Sequence, residues 1–160
     1  MTVQSVAEFI AYFEKVHART ARLLPLIPAA KLEHAPGPDR FSFGDLIRHL
    51  AGIERYLFVE RAVGGTMSYP GHKKALAEGY EAVLSYHHRL HNESLELLGT
   101  LSDEDLQGKC KTPAGASITV GKWLRAMLEH EMHHRGKLFL CWGCLAWPPH
   151  RCSVLPRKRY

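Results

Sequence analysis

Apolar residues recur at helical spacing along four long stretches of this chain, with polar or Pro/Gly-rich segments between them. In the first, from about Val3 to Leu24, Val6, Phe9, Ile10, Phe13, Val16 and Leu23 share a face, and Pro25 and Pro28 end the run. The second opens at Ser42, an N-cap candidate with Asp45 in the capping-box position. It carries Phe43, Leu46, Ile47, Leu50, Ile53 and Leu57 up to the Gly64-Gly65 break. The third covers roughly Lys73 to Leu101, with Leu76, Tyr80, Val83, Leu84, Leu90 and Leu97 as its apolar face. Ser102-Asp103-Glu104-Asp105 then opens a short turn of helix, and Pro113 to Ser117 reads as loop. Thr119 is placed to cap a fourth helix that runs to Cys144 or Ala146, before Pro148-Pro149.

There is little strand signal and no internal repeat. Four amphipathic segments with long connections predict an all-α fold, a four-helix up-down bundle. The bundle is expected to take residues 1–160 as one domain, with a short basic tail from about residue 147.

Composition changes this picture only slightly. A chain of 160 residues can bury a core without disulfides or metal to hold it. Much of the formal charge of +5 sits in Arg151, Arg157, Lys158 and Arg159, the pattern of a solvated basic tail. No recognition-helix, RNP or zinc-finger pattern accompanies it, so a nucleic-acid partner is not expected. Acidic residues interrupt the opening MTVQSVAEFIAYFEK, which argues against a signal peptide, and no stretch reaches the roughly 18 apolar residues of a membrane span. A cytoplasmic protein without a membrane partner follows as the expectation, with its four cysteines as thiols.

The chemistry concentrates in His130-Glu131-Met132-His133-His134-Arg135-Gly136. Successive helical residues turn by about 100°, so residues four apart lie on one face. His130 and His134 can therefore present two imidazoles to one point, a common way to bind a divalent transition metal. H-E-x-x-H also suggests a zinc protease with Glu131 as general base. That reading lacks a third ligand: no Asp or Glu follows Glu131, and Lys137 and Leu140 stand where a metzincin needs Gly and His.

Bundles build metal sites from facing helices, and His49 is the histidine on the core stripe of the second helix, between Leu46 and Ile53. On the fourth helix the stripe centres near Met127. His134 lies about 20° from it, Glu131 about 40°, His130 about 60° on the other side, and His133 about 120° away, facing out. Three inward histidines with an open position form a catalytic type of metal site. A rival pair, His87 and His91, is also four apart on the third helix. The reading preferred for these two and His88 is a polar helix flank.

Cys141-Trp142-Gly143-Cys144 has C-x-x-C spacing but lacks the βαβ setting of a redox motif. With His150 and Cys152 it could form a Cys3His zinc site, although ordinary buried or half-exposed thiols are the expectation.

Two segments carry a family resemblance. Phe43-Gly44-Asp45-Leu46-Ile47-Arg48-His49-Leu50-Ala51 and Leu128-Glu129-His130-Glu131-Met132-His133-His134-Arg135-Gly136-Lys137-Leu138 resemble the DinB-like (DinB/YfiT) superfamily of four-helix-bundle metalloproteins. The second is similar to its H-x-x-x-H-R-G-Q-L signature, with Lys137 in place of Gln. The resemblance implies a metal triad of His49, His130 and His134 that binds zinc or nickel, with water completing the shell, and it implies a homodimer. It also implies a low-molecular-weight thiol, such as bacillithiol or mycothiol, as a partner in transfer or isomerisation. Lys137 and the Cys141/Cys144 pair depart from the family pattern.

Two routes of catalysis are then open: attack by a metal-held thiolate on a small electrophile, or hydrolysis by an activated water. Glu131 is the candidate for supporting a ligand or moving a proton. Arg48 and Arg135, beside ligands in sequence, are candidates for meeting an anionic thiol or substrate. A non-catalytic metal-binding protein in stress response or metal handling is the alternative class.

Overall fold

The computed structural model describes residues 3–37 and 39–146, with side chains as far as Gly143. The basic tail from residue 147, His150 and Cys152, and the Cys144 side chain lie outside the described residues.

Four helices form the body. Helix α1 is Val6–Ala21. Helix α2 is α-helical over Phe43–Ile53, π-helical over Glu54–Val59, and α-helical again over Glu60–Ala62. Helix α3 is Tyr80–Leu98 and α4 is Val120–Ala146. The expected caps form. Ser42 and Asp45 make a reciprocal capping box, with both bonds at 3.0 Å, and Thr119 Oγ1 accepts from the Lys122 N–H at 3.3 Å.

Boundaries shift where the backbone cannot stay helical. Helix α1 stops at Ala21 because the chain tightens into a 3-10 turn, Leu24–Leu26, that takes up Pro25. Helix α3 begins at Tyr80 rather than Lys73 because Gly79 adopts φ +89. The segment read as loop before α4 closes a short antiparallel hairpin. Its strands, β1 (Lys109–Lys111) and β2 (Ser117–Thr119), place Cys110 opposite Ile118. Gly115 at φ +83 makes the turn possible.

Side-chain pairings give the helix directions. A Cβ at Gly121 would touch Val3, and Thr20 meets Glu131, so α1 and α4 run parallel. Phe13 meets His91 and His17 meets His87, so α1 and α3 are antiparallel. Phe58 meets Trp123 while His49 meets His130, so α2 and α4 are antiparallel. The four-helix bundle with long connections is therefore wound up-down-down-up, a refinement of simple alternation. Because α2 and α3 run parallel, residues 63–79 must travel back along the bundle before α3 can start. Ser68 N–H donates to the Tyr56 carbonyl at 3.0 Å on this return. Tyr69 then packs so closely on Gly52 that a Cβ there would sit 3.2 Å from its ring.

The apolar interior is in two parts. One holds Phe9, Phe13, Val16, Phe58, Leu98, Trp123 and Met127. The other holds Leu24, Phe43, Leu46, Ile47, Leu50, Val83, Leu90 and Leu138. Polar residues are interspersed with both parts on all four helices: His17, Glu54, His87, His91, Glu131 and His134, all buried. This polar waist corrects the reading of His87 and His91 as a helix flank. Only His88 of that trio is exposed, because Val83 and Leu90 carry the neighbouring positions into the core.

Arg48 also needs correction. Its guanidinium is 0% exposed, away from any anion-binding mouth. Nε donates to the Ala77 carbonyl at 2.8 Å, the two terminal nitrogens pair with Glu33, and Asp45 lies 3.6 Å away. One step from His49 turns the side chain by about 100°, toward the connections and off the triad. Arg48 thus ties both the α1–α2 and the α2–α3 connections to α2.

Two outcomes follow for stability. Arg48→Met strands the Ala77 carbonyl and the Glu33 carboxylate and is expected to lower unfolding free energy by about 3 kcal/mol in urea titrations. Burial lowers the imidazole pKa of His17 to about 2 and of His87 to about 3, with neighbouring histidines adding to the effect. Below the ordinary value of 6.5 the unfolded chain takes up protons that the folded core refuses. Stability is therefore whole above that pH and falls as acid is added through this window. Glu131, whose carboxyl is pushed up to about 7 chiefly by burial, acts in the opposite sense and softens the fall. Denaturation across pH should show this acid limb, and His87→Leu should flatten it.

Candidate metal centre

Helices α2 and α4 carry the three histidines to one point. His49 projects from the middle of α2, one turn before the π segment, while His130 and His134 lie on adjacent turns of α4. Each offers a ring nitrogen, and these three atoms all lie within 4.8 Å of one another. Ring centroids are 5.1 Å apart for His49–His130, 4.6 Å for His49–His134 and 4.4 Å for His130–His134. His134 is buried and the other two are half-buried, so the cluster is reachable from one side.

The arrangement fits a divalent transition metal. His49 Nε2 and His130 Nε2 are 3.2 Å apart, close to the roughly 3.3 Å that separates two nitrogens on a tetrahedral zinc at about 2.0–2.1 Å. His134 Nδ1 is buried without a hydrogen-bond partner. Desolvation first, then the adjacent histidines and the Lys137 charge, hold the imidazoles well below their usual range: His49 and His130 to about 4, His134 to about 3. At neutral pH all three keep the lone pairs that ligation needs.

The surroundings orient the ligands. His49 turns Nε2 toward His130 and sets Nδ1 2.7 Å from the Tyr69 hydroxyl, so that with Nε2 on a metal the Nδ1–H would donate to that oxygen. Burial raises the Tyr69 phenol to about 12, so it stays protonated. Tyr69 lies 3.3 Å from His72 Nδ1 in turn. Phe41 packs against both rings, 5.3 Å from His49 and 4.2 Å from His72, and Phe58 covers His130 at 5.7 Å. Tyr69, His72 and Phe41 lie on connections without helical periodicity, and nothing in the local sequence marked them. Trp123 on α4 ties the π segment: its indole donates to the Phe58 carbonyl at 2.9 Å.

Glu131 is buried, as its angle on α4 predicts, and accepts from Thr20 Oγ1 on α1 at 2.6 Å. It does not join the three histidines. With His130, Glu54 and His87 it borders a cavity of about 10 Å³ walled by Leu50, Phe58 and Met127, about enough for one water. Arg135, one residue past His134, turns toward α1. It donates to the Val16 carbonyl at 3.2 Å and meets Thr20 Oγ1 at 3.5 Å, so it does not stand beside the triad as expected. His133 is exposed, as its angle predicts. Cys110 is a buried thiol and Cys141 is half-buried against the second apolar cluster.

Comparison with known proteins places this geometry. No curated protein matches the chain. A DinB-like protein from Bacillus cereus shares its fold with a TM-score of 0.73 at 15% identity, over 89% of this chain and 94% of that one. YfiT from Bacillus subtilis, described as "a probable metal-dependent hydrolase with an unusual four-helix bundle topology", gives 0.71 at 16% identity, over 92% and 91%. The colibactin self-resistance protein ClbS, solved with a dsDNA, gives 0.66 at 16% identity, over 90% and 99%. No helix among the described residues is long and apolar enough to cross a membrane. Residues 1–138 match the DinB superfamily, and the chain belongs to it.

Proposed function

We propose that the protein is a divalent-metal-dependent enzyme in which His49, His130 and His134 hold zinc or nickel, and in which a low-molecular-weight thiol is transferred to a small electrophile. The observation that carries the metal is the convergence of three neutral ring nitrogens within 4.8 Å, with His134 Nδ1 unpartnered. When bound, the metal supplies Lewis acidity that lowers the pKa of a thiol or a water.

The chain's own residues do the rest. Tyr69 fixes the tautomer and ring orientation of His49. Phe41 and Phe58 shield the imidazoles from solvent. Lys137, exposed at the edge of the triad and close enough to depress all three imidazole pKa values, favours an anionic nucleophile there. Glu131, beside His130 at the small cavity, is the group proposed to take up and return a proton.

Hydrolysis is the second reading. The cavity bordered by His130 and Glu131 is of a size for a water, and YfiT carries a hydrolase description.

Elemental mass spectrometry of protein without a tag tests the metal. His49→Ala, His130→Ala and His134→Ala should each remove one equivalent of zinc or nickel, while His133→Ala keeps it. Tyr69→Phe should retain the metal but bind it about 10- to 100-fold more weakly in chelator competition. Loaded protein is then assayed with a thiol and a chromogenic electrophile, and with ester substrates. Turnover with the thiol supports transfer, turnover without it supports hydrolysis, and neither leaves a metal-binding protein without this catalysis.

A homodimer and a cytoplasmic location belong to the same reading. Leu26, Phe139 and Leu140 stand 56%, 55% and 72% exposed, which supplies an apolar surface for a second copy. Light scattering should give twice the chain mass, and Leu140→Lys should return it to the single-chain mass. A wild type that is monomeric at high concentration rules the dimer out. Fractionation of the native cell tests the location, and recovery outside the cytoplasm would refute it.

A further inference from the structure

We propose that His17, Glu54 and His91 form a second site for a divalent transition metal, inside the bundle and separate from the three-histidine centre. The donors come from α1, α2 and α3, whereas the first centre uses α2 and α4. One ligand atom from each of the three lies within 4.8 Å of the others, and all three residues are buried. Two imidazoles with one carboxylate make a donor set typical of zinc and of non-haem iron.

Charge is the main argument. The Glu54 carboxylate is 8% exposed, and burying an ionised group without compensation costs several kcal/mol. Its neighbour in sequence, Arg55, points elsewhere, to Glu60 at 2.6 Å and Glu93 at 3.5 Å. The groups that do face Glu54 are imidazoles: His91 Nδ1 at 3.2 Å and His17 Nδ1 at 3.9 Å. A divalent cation held among these three side chains would balance the Glu54 carboxylate.

Geometry agrees. His17 is 8% exposed, and its Nδ1 has no hydrogen-bond partner, being too far from Glu54 for one. His17 and His91 stack with ring centroids 3.3 Å apart and 4° between their planes, with both Nδ1 atoms near the Glu54 carboxylate. One ring has to turn out of the stack for both lone pairs to meet one metal. His87 also stacks on His17, with ring centroids 4.7 Å apart. The carboxylate is offered from the first residue of the π turn, an irregularity found frequently at functional sites.

The test is native mass spectrometry of metal-stripped, full-length protein titrated with Zn2+, in a Cys141→Ser/Cys144→Ser/Cys152→Ser background that leaves Cys110 as its one thiol. Two bound zinc ions per chain are expected. Glu54→Gln and His91→Asn should each bind one, His49→Ala should bind one, and Glu54→Gln/His49→Ala should bind none. The equivalent that Glu54→Gln retains shows that this variant is folded. In the His49→Ala protein, Zn2+ should still raise the melting temperature, and adding Glu54→Gln should abolish that rise. Saturation at one zinc that His49→Ala removes and Glu54→Gln leaves intact would overturn the second site without touching the first. A second equivalent that survives both Glu54→Gln and His91→Asn would overturn it as well. Saturation of the unsubstituted histidine sites at one zinc that Glu54→Gln removes and His49→Ala leaves intact would refute the three-histidine centre and leave this one standing.

Discussion

Water is kept from a layer of histidines and glutamates at the middle of the bundle, and much of the structure answers to that exclusion. An imidazole withdrawn from water among apolar side chains cannot hold a proton without losing hydration, and that loss exceeds what a typical hydrogen bond returns. It therefore stays neutral, with a lone pair free for a metal. His49, His130 and His134 are held to about 4, 4 and 3 by that burial, so their readiness as ligands does not depend on modest changes of pH. Function and stability meet here, because the same desolvation that prepares the ligands makes the fold sensitive to acid.

The direction of the helices explains how the centre is finished. With α2 and α3 parallel, the chain between them has to return along the bundle, and on the way it sets Tyr69 against His49 and His72 against Tyr69. Arg48 holds this return in place through the Ala77 carbonyl, and through Glu33 it holds the earlier connection near which Phe41 packs on His49. A residue adjacent to a ligand in sequence thus supports the ligand's surroundings instead of its substrate. Such an arrangement keeps the connections ordered, and an ordered shell is what fixes a metal ligand's orientation.

The histidines of the triad were legible for particular reasons. His130 and His134 are four apart, His49 lies between Leu46 and Ile53 on a core stripe, and the two segments resemble a known signature. The inward angle of Glu131 was also readable. His87 and His91 were not, although their spacing is the same, because polar residues on an apolar stripe read equally well as its margin. Their burial depends on α1 supplying His17 and Phe13 opposite them. Arg48 and Arg135 misled for the converse reason: nearness along a helix becomes a turn of about 100° in space. Tyr69 and His72 sit in a stretch with no periodicity to read.

The sequence by itself determined the features that act within a turn or two of backbone. These include the capping box at Ser42, the Thr119 cap of α4, the proline end of α1 and the i,i+4 histidine pair. Each rests on local sterics and short-range hydrogen bonds, and needs no knowledge of the rest of the chain. The tertiary structure decided which faces meet, in which direction the helices run, and therefore which polar side chains are denied water. Burial is a property of the neighbours a residue acquires, and here those neighbours come from positions as distant as Thr20 and Glu131, joined by one hydrogen bond of 2.6 Å.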